Sequence, residues 1–450
     1  MKKVQLIFPR HELGTVVEGT LHPPPIGLLT LGAYLKSKMQ IDIEVYDGNT
    51  ISDESLLGVF DGDVIGFSCW FSNYNNGIRL AEQIRAQNKK AMLIMGGPHT
   101  FGLAQRILRN NSCIDLVVRG DAEEAFADII QGKPYEHIHG LTYRNGDSVK
   151  ENEESSGISL DKIPIFDFSI LKTRYQWNDV PTTQSAMPVS GVRGCSRIKR
   201  CEYCAIPTLG VRTQNPSVFW KQLGVLHEKY GIDYFFETGD IFPIKHAQHL
   251  AEVSNKPEVA LRIYSYPGLI NKENVEALAQ INVRNVFIGV ESVLIWERER
   301  QDTRRYALSY TEHSIHQEIE LLERYGITVL PSFILGLPKE TAETLEKNME
   351  LIREIARHPN VSDIVVNKPV PFPGTGYFRT CLTDKQIGER YKQSTGQDIQ
   401  SEDMLDYDKL SDAFIRRVTT VDPKSIASSI AEIQSQYTNV AYFFKKTTNF

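Results

Sequence analysis

Short runs of β-branched and aromatic residues alternate with stretches of helical period along most of the chain. Up to about residue 150 the runs fall at 4–8, 41–46, 64–68, 91–95 and 116–118, and residues 26–38 and 77–87 between them carry apolar positions at helical spacing. Strands apolar on both faces and separated by helices predict a parallel, doubly wound, Rossmann-like sheet over residues 1–150. Residues 151–157 are acidic and serine-rich, and the irregular stretch that follows, with Pro164 and Pro181, predicts a linker over 151–186. The alternation then restarts and runs for six units, at 188–192, 234–237, 261–266, 286–290, 329–335 and 364–370, with helical patterns at 314–325 and 341–356. Six βα units with room for crossover helices predict an α/β partial (β/α)6 TIM-like barrel over 187–382, with its chemistry at the strands' C-terminal ends. From 383 to 450 the pattern predicts a small helical C-terminal region.

The 450 residues suffice for two or three cores, and the composition is ordinary for a globular protein. Two lysines precede an apolar run near the start, but Pro9 cuts it too short for a signal segment. No stretch approaches the roughly 18 apolar residues of a membrane span, so no membrane association is expected. A formal charge of −6 argues against a broad phosphate-binding surface, and no nucleic acid is expected as a partner.

Half of the six cysteines fall in one segment, Gly-Cys-Ser-Arg-Ile-Lys-Arg-Cys-Glu-Tyr-Cys at 194–204, directly after the first barrel strand. Cys69, Cys113 and Cys381 are scattered, unlike a secreted disulfide framework, so a reducing compartment is expected. Three thiolates suit zinc or an iron–sulfur cluster. Closed structural zinc takes four ligands and no further Cys or His follows at finger spacing, so a cluster with one iron short of a protein ligand is the better reading.

A three-cysteine loop after the first strand of a six-unit βα barrel resembles the radical SAM superfamily. The resemblance implies that Cys195, Cys201 and Cys204 hold a [4Fe–4S] cluster whose remaining iron chelates S-adenosylmethionine. The family's usual spacing is Cys-x-x-x-Cys-x-x-Cys; here the first gap is five residues, while the second is standard, with Tyr203 placed to pack over the cluster. Phe-Phe-Glu-Thr-Gly-Asp at 235–240 ends the second strand, where the family binds the methionine ammonium. Asp240, with the backbone of Thr238 and Gly239, is the candidate, because an ammonium needs acidic or carbonyl acceptors. Gly-Val-Glu-Ser at 289–292 resembles the segment near the cofactor's carboxylate and ribose, which nominates Glu291 and Ser292. Phe-Ile-Leu-Gly-Leu-Pro-Lys-Glu at 333–340 resembles the fifth-strand adenosine-side motif, which nominates Gly336 and also Ser332, where a glycine is common. Pro-Phe-Pro-Gly-Thr at 371–375 resembles the motif closing the sixth strand.

The first 150 residues resemble the cobalamin-binding domain that precedes the barrel in one branch of this superfamily. Pro-Pro-Pro-Ile-Gly at 23–27 matches the opening of its first helix, with Pro24 and Gly27 toward the corrin. Phe-Ser-Cys-Trp at 67–70 and Met-Gly-Gly-Pro-His-Thr at 95–100 resemble the Ser and Gly-Gly elements lining the tunnel for the nucleotide tail. They nominate Ser68, Trp70, Gly96, Gly97 and Pro98, and Gly120 marks the turn after the last strand. The Asp-x-His-x-x-Gly motif of methionine-synthase-like domains is broken, with Pro9 where the acid would orient the imidazole. His11 is therefore expected to be a surface loop histidine and not a cobalt ligand, and His99 a wall residue.

The resemblance implies a cobalamin-dependent radical SAM enzyme that generates a 5′-deoxyadenosyl radical and C-methylates an unactivated carbon of a small metabolite or natural-product precursor. A non-methylating rearrangement, oxidation or ring contraction, or a non-catalytic cobalamin-binding protein, are the alternatives. An electron donor such as flavodoxin or ferredoxin, a small-molecule substrate and a cytoplasmic setting go with it. The charge-rich run 296–305 is expected to be a solvated face or a lid, and Tyr264 and Tyr266, ending the third strand, to differ in how they face the interior.

Overall fold

The computed structural model describes residues 2–12, 23–173, 186–196, 200–206, 210–295, 312–361 and 363–437. The first sheet has seven strands, β1 (Lys3–Phe8), β2 (Asp42–Asp47), β3 (Val64–Ser68), β4 (Met92–Gly96), β5 (Leu116–Val118), β6 (Leu141–Asn145) and β7 (Ser148–Glu151), in the order β2-β1-β3-β4-β5-β6-β7. The first five are parallel and buried on both faces, as their unbroken apolar runs require. Strand order reverses between β1 and β3, so the crevice beyond their C-terminal ends is where such a sheet takes a ligand.

The antiparallel hairpin β6–β7 was not expected. Its strands are short and half polar, with a turn at Gly146, whose φ of +60° suits glycine. The linker also differs from a free crossing. Leu171 bridges to Val45 at the sheet edge, and Ile170 fills the space that a side chain on Gly32 would need.

The second sheet is parallel and six-stranded, β8 (Met187–Val189), β11 (Tyr234–Glu237), β12 (Ala260–Ser265), β13 (Val283–Glu291), β14 (Thr328–Ile334) and β15 (Val365–Asn367), neighbours following chain order. It is the expected half barrel. The expected first strand is broken, however: β8 stops at Val189, and β9 (Val192–Arg193) turns out to pair antiparallel with β10 (Arg212–Thr213). That ribbon closes the base of the cysteine loop.

Helices 385–395, 407–418 and 423–437 form the C-terminal region. Ile387, Tyr391 and Phe414 join Ile107 and Leu103 of the first domain in one apolar core, while Ile415 and Ile426 join the barrel's core. Tyr74 and Asn111 of the first domain both donate to the buried carboxylate of Asp403. The C-terminal helices therefore clamp the two sheets together.

Candidate functional site

The cysteine loop leaves the ribbon at Gly194, whose φ of +90° demands glycine. Cys195, Cys201 and Cys204 are all half-buried. The loop is held by its own backbone: Gly210 donates to Cys195, Cys204 to Cys201, and Ile206 to the Cys204 sulfur at 3.5 Å. Burial pushes the Cys204 thiol up to about 12, and the nearby Cys201, Asp240 and Cys195 add to it. The thiol therefore stays neutral unless a bound cation offsets its burial and the neighbouring acids. Among the described residues no three Cys, His, Asp or Glu side chains converge as a single ion needs. A four-iron cube takes its thiolates at separate corners, and three cysteines on one loop are the donor set such a cube uses.

Glu237, at the end of β11, is fully buried and escaped the sequence reading. It accepts from Gly191 (2.9 Å), Val192 (3.1 Å) and Gly239 (3.1 Å), which fixes the turn leading into the cysteine loop. Burial pushes its carboxyl up to about 8 against the pull of those donors. Its sequence signal is its place in Phe-Phe-Glu-Thr-Gly-Asp at 235–240, where it is the last residue of the strand. Thr238 donates to the Val189 carbonyl through both N–H and hydroxyl, and Gly239 lies so close to Val192 that a β-carbon would clash. These two residues therefore anchor the loop to the sheet. Asp240 acts electrostatically on Cys204; burial pushes its carboxyl up to about 6, and it accepts from the Gly194 N–H.

Glu291 ends β13 with φ of +66°, a strained conformation for a residue with a side chain, next to a register shift between Gly289 and Glu291. Ser292, fully buried, accepts from Asn348 at 3.0 Å; Asn348 also donates to Glu340 at 2.8 Å, and Glu340 accepts from Gly336. This network joins the ends of β13 and β14 into one floor. Asn348 lies on a helix and carried no motif signal. Gly336 is covered by Ile415 and Ile426 of the C-terminal helices, and Ser332 is buried on β14, so both are placed to shape this floor.

The third nominated set lies at the C-terminal edge of the first sheet. Trp70 is 45% exposed, Pro98 is exposed, and Gly27 and Gly120 face open space where side chains would stand. Ser68 and Gly96 pair with each other in adjacent strands, and Pro24 is buried at the helix opening. Gly97 has φ of +98°, and a β-carbon there would sit 2.5 Å from the Cys69 carbonyl oxygen. Its bareness serves a crossing with the Cys69 backbone.

His11 is buried, which corrects the surface placement. Its Nδ1 lies 2.7 Å from Ser72 Oγ, its N–H donates to Asn49, and its ring meets Phe8 edge-on. His99 is walled in by Tyr74 and Tyr407, and burial lowers it to about 3. Tyr264 packs between Phe236 and Phe287 on the interior face. Tyr266 follows the end of that strand, and residues two apart in a strand share a face, so the expected difference between the two had no basis in alternation. The run 296–305 lies outside the described residues.

The sixth-strand motif joins the sites. Phe372 packs on Phe71 of the first domain at 4.8 Å, and Gly102 abuts Gly374. Tyr377 donates to Glu202 inside the cysteine loop, and Tyr203 faces the Tyr377 ring at 6.3 Å.

Fold and site together define an α/β chain with a doubly wound sheet ahead of a cysteine-bearing half barrel. Residues 12–130 match the family model described as B12 binding domain. An uncharacterized methyltransferase of Pyrococcus horikoshii is 25% identical over 86% of this chain and 84% of its own length. An anaerobic magnesium-protoporphyrin IX monomethyl ester cyclase of Rubrivivax gelatinosus is 23% identical over 82% of this chain and 68% of its own. The structure of TsrM from Kitasatospora setae, a radical S-adenosylmethionine methyltransferase with cobalamin and a [4Fe–4S] cluster bound, shares the fold. Its TM-score is 0.65 at 15% identity, covering 84% of this chain and 75% of that one. The chain thus carries a B12-binding domain at 12–130, and over most of its length it is similar to methyltransferases, one of them of the radical S-adenosylmethionine type. No helix among the described residues is long and apolar enough to cross a membrane.

Proposed function

We propose that this enzyme is a cobalamin-dependent radical SAM methyltransferase that methylates an unactivated carbon of a small metabolite or natural-product precursor. The observation that carries this reading is the joining of three thiols at the mouth of one sheet to an open glycine-lined edge of another through residues 371–377. Bound there, a [4Fe–4S] cluster would supply the electron that cleaves S-adenosylmethionine, and a corrin would supply the methyl group. Cys195, Cys201 and Cys204 hold the cluster. Asp240 accepts from the methionine ammonium, and the strained turn at Glu291 with Ser292, Ser332 and Gly336 orients the remainder of that cofactor. Pro24, Gly27, Ser68, Trp70, Gly96, Pro98 and Gly120 form the corrin's rim. Flavodoxin or ferredoxin supplies reducing equivalents, in the cytoplasm.

Incubation of the reconstituted enzyme with methyl-labelled S-adenosylmethionine and a low-molecular-weight metabolite fraction tests it: label should move into a carbon-bound methyl group. The Rubrivivax relative is named a cyclase, which favours a second reading, a non-methylating oxidation or ring closure. Cofactor cleavage with a changed metabolite but no label transfer would select that second reading.

A further inference from the structure

Among the described residues, the interior of the half barrel holds a cation without a counter-charge. Along β12 Leu261, Ile263 and Ser265 are buried outward, so Arg262 and Tyr264 face inward. Arg262 stands in register with Phe236 on one side and Asn285 on the other. Its guanidinium lies 4.8 Å from the centroid of the Phe236 ring, and its Nε is buried with no hydrogen-bond partner. No ion pair reaches it among the described residues, and a ring face offsets only part of what a buried charge loses on leaving water.

Asn285 has a matching vacancy. Thr328 spends its single hydroxyl hydrogen on the Arg284 carbonyl at 2.9 Å, so its oxygen can only accept from Asn285 Nδ2, also at 2.9 Å. That fixes the carboxamide's orientation, and Oδ1 is left buried and unpaired. Two strand positions higher, roughly 7 Å toward the rim, Tyr264 packs 5.0 Å from Phe236 and 5.0 Å from Phe287. Asp240 acts electrostatically on Tyr264 from above. The interior thus offers a donor fork, an acceptor beside it, and an aromatic wall leading up to the cysteine loop.

We propose that Arg262 anchors the substrate's carboxylate, Asn285 receives an adjoining N–H or O–H, and the rings of Phe236, Tyr264 and Phe287 hold a flat unsaturated body pointing to the rim. The substrate class is therefore an aromatic or unsaturated acid carrying an amino or hydroxyl group beside the carboxylate. The planar fork of arginine matches a carboxylate with two parallel hydrogen bonds. This inference rests on the radical SAM reading above and names the substrate side of that same site.

The test uses the full chain reconstituted with cluster and cobalamin, and 3-phenyllactate against its neutral amide as probes in saturation-transfer NMR titrations. Phenyllactate should bind the parent, and the amide about ten- to a hundredfold more weakly. Arg262→Met should lose phenyllactate by a similar factor, and Asn285→Leu should erase its advantage over 3-phenylpropionate. Should Arg262→Met not fold, Arg262→Lys gives the same direction with a smaller loss, because an ammonium lacks the fork. Equal binding of acid and amide, no binding to the parent, or intact binding in the variant would overturn the assignment. So would loss of S-adenosylmethionine binding in Arg262→Met, which would give the guanidinium to that cofactor's own carboxylate. Reductive cleavage of S-adenosylmethionine by the parent is measured separately, so a failed radical SAM reading and a failed anchor are distinguishable.

Discussion

Arg193 donates to Glu123 at 2.7 Å across the seam between the two sheets, two residues before the first cysteine of the loop, and pairs with Asp121 at 3.2 Å. Arg212, its partner in the ribbon, reaches the same Asp121 at 2.7 Å. Both ends of the cysteine loop are thereby tied to the turn after β5 in the first domain. Burial opposes the charge on Arg193, but Glu123 and Asp121 outweigh it and hold the guanidinium above its ordinary pKa.

Removing one partner from such a cluster strands the others in a dry interface. Arg193→Met should destabilise the protein by about 3 kcal/mol, read from denaturant melts. Replacing Asp121 and Glu123 by Asn and Gln in the same chain should restore part of that. A single variant as stable as the parent would show that the ion cluster does not fasten the loop to the first domain.

The thiols carry the next expectation. Changing Cys195, Cys201 and Cys204 together to Ala should abolish iron uptake on anaerobic reconstitution, with the broad visible absorption of an iron–sulfur centre. S-adenosylmethionine should then survive dithionite. Stability should change little, since the three side chains are only half-buried and the backbone hydrogen bonds at Cys195, Cys201 and Cys204 survive their truncation. Full iron content in the triple variant would place the cluster elsewhere.

Glu237 should give the fold a pH dependence. Its carboxyl is pushed up to about 8 from an ordinary 4.5, chiefly by burial. An acid with a raised folded pKa stabilises fully below the unfolded value and loses that contribution as pH rises through the folded one. The parent's unfolding free energy should therefore fall, relative to Glu237→Gln, by up to about 5 kcal/mol between roughly pH 4.5 and 8. Parallel melts at the two ends of that window check it. An unchanged difference between parent and variant would mean that the three N–H donors keep the carboxylate ionised throughout.

Gly97 separates backbone from ligand. A β-carbon would lie 2.5 Å from the Cys69 carbonyl oxygen and 2.6 Å from its nitrogen, and φ is +98°. Gly97→Ala should lower the stability of the cobalamin-free protein by about 1–3 kcal/mol, with weaker cobalamin binding as a consequence. If the free protein melts unchanged while hydroxocobalamin binding is lost, the glycine faces the corrin directly.

Much of this architecture was legible because its strands are apolar on both faces. The runs at 64–68, 116–118 and 234–237 coincide with β3, β5 and β11, and the helix at 26–38 with the first helix. The hairpin β6–β7 was not legible, since half-polar edge strands carry a weak alternation. The ribbon β9–β10 was hidden because its strands are two residues long and separated by the cysteine loop. At the site, short motifs found the loops but not what holds them. Glu237, Arg193 and Asn348 act through partners distant in sequence, and the Cys69 backbone that crosses Gly97 cannot be seen in one dimension.

The lower face of cobalt gives the last expectation. Pro9 replaces the acid that would orient an imidazole, yet the structure supplies His11 with another neighbour, Ser72 Oγ at 2.7 Å from Nδ1. The absence of an acid therefore no longer decides the question. Position does: His11 is buried against Phe8, and Phe8 in turn packs edge-on against Trp70, whose indole is the exposed group at the rim. A histidine beneath that layer does not reach the open edge without displacing it. Cobalt bound as Co(II)cobalamin should thus show no nitrogen superhyperfine splitting from protein in its electron paramagnetic resonance spectrum, and His11→Ala should leave the spectrum as it is. Trp70→Ala should alter it, by opening the lower face to water. A triplet splitting that vanishes in His11→Ala would make the Ser72-held imidazole the ligand, with a hydroxyl doing the orienting that an acid performs in methionine-synthase-like domains.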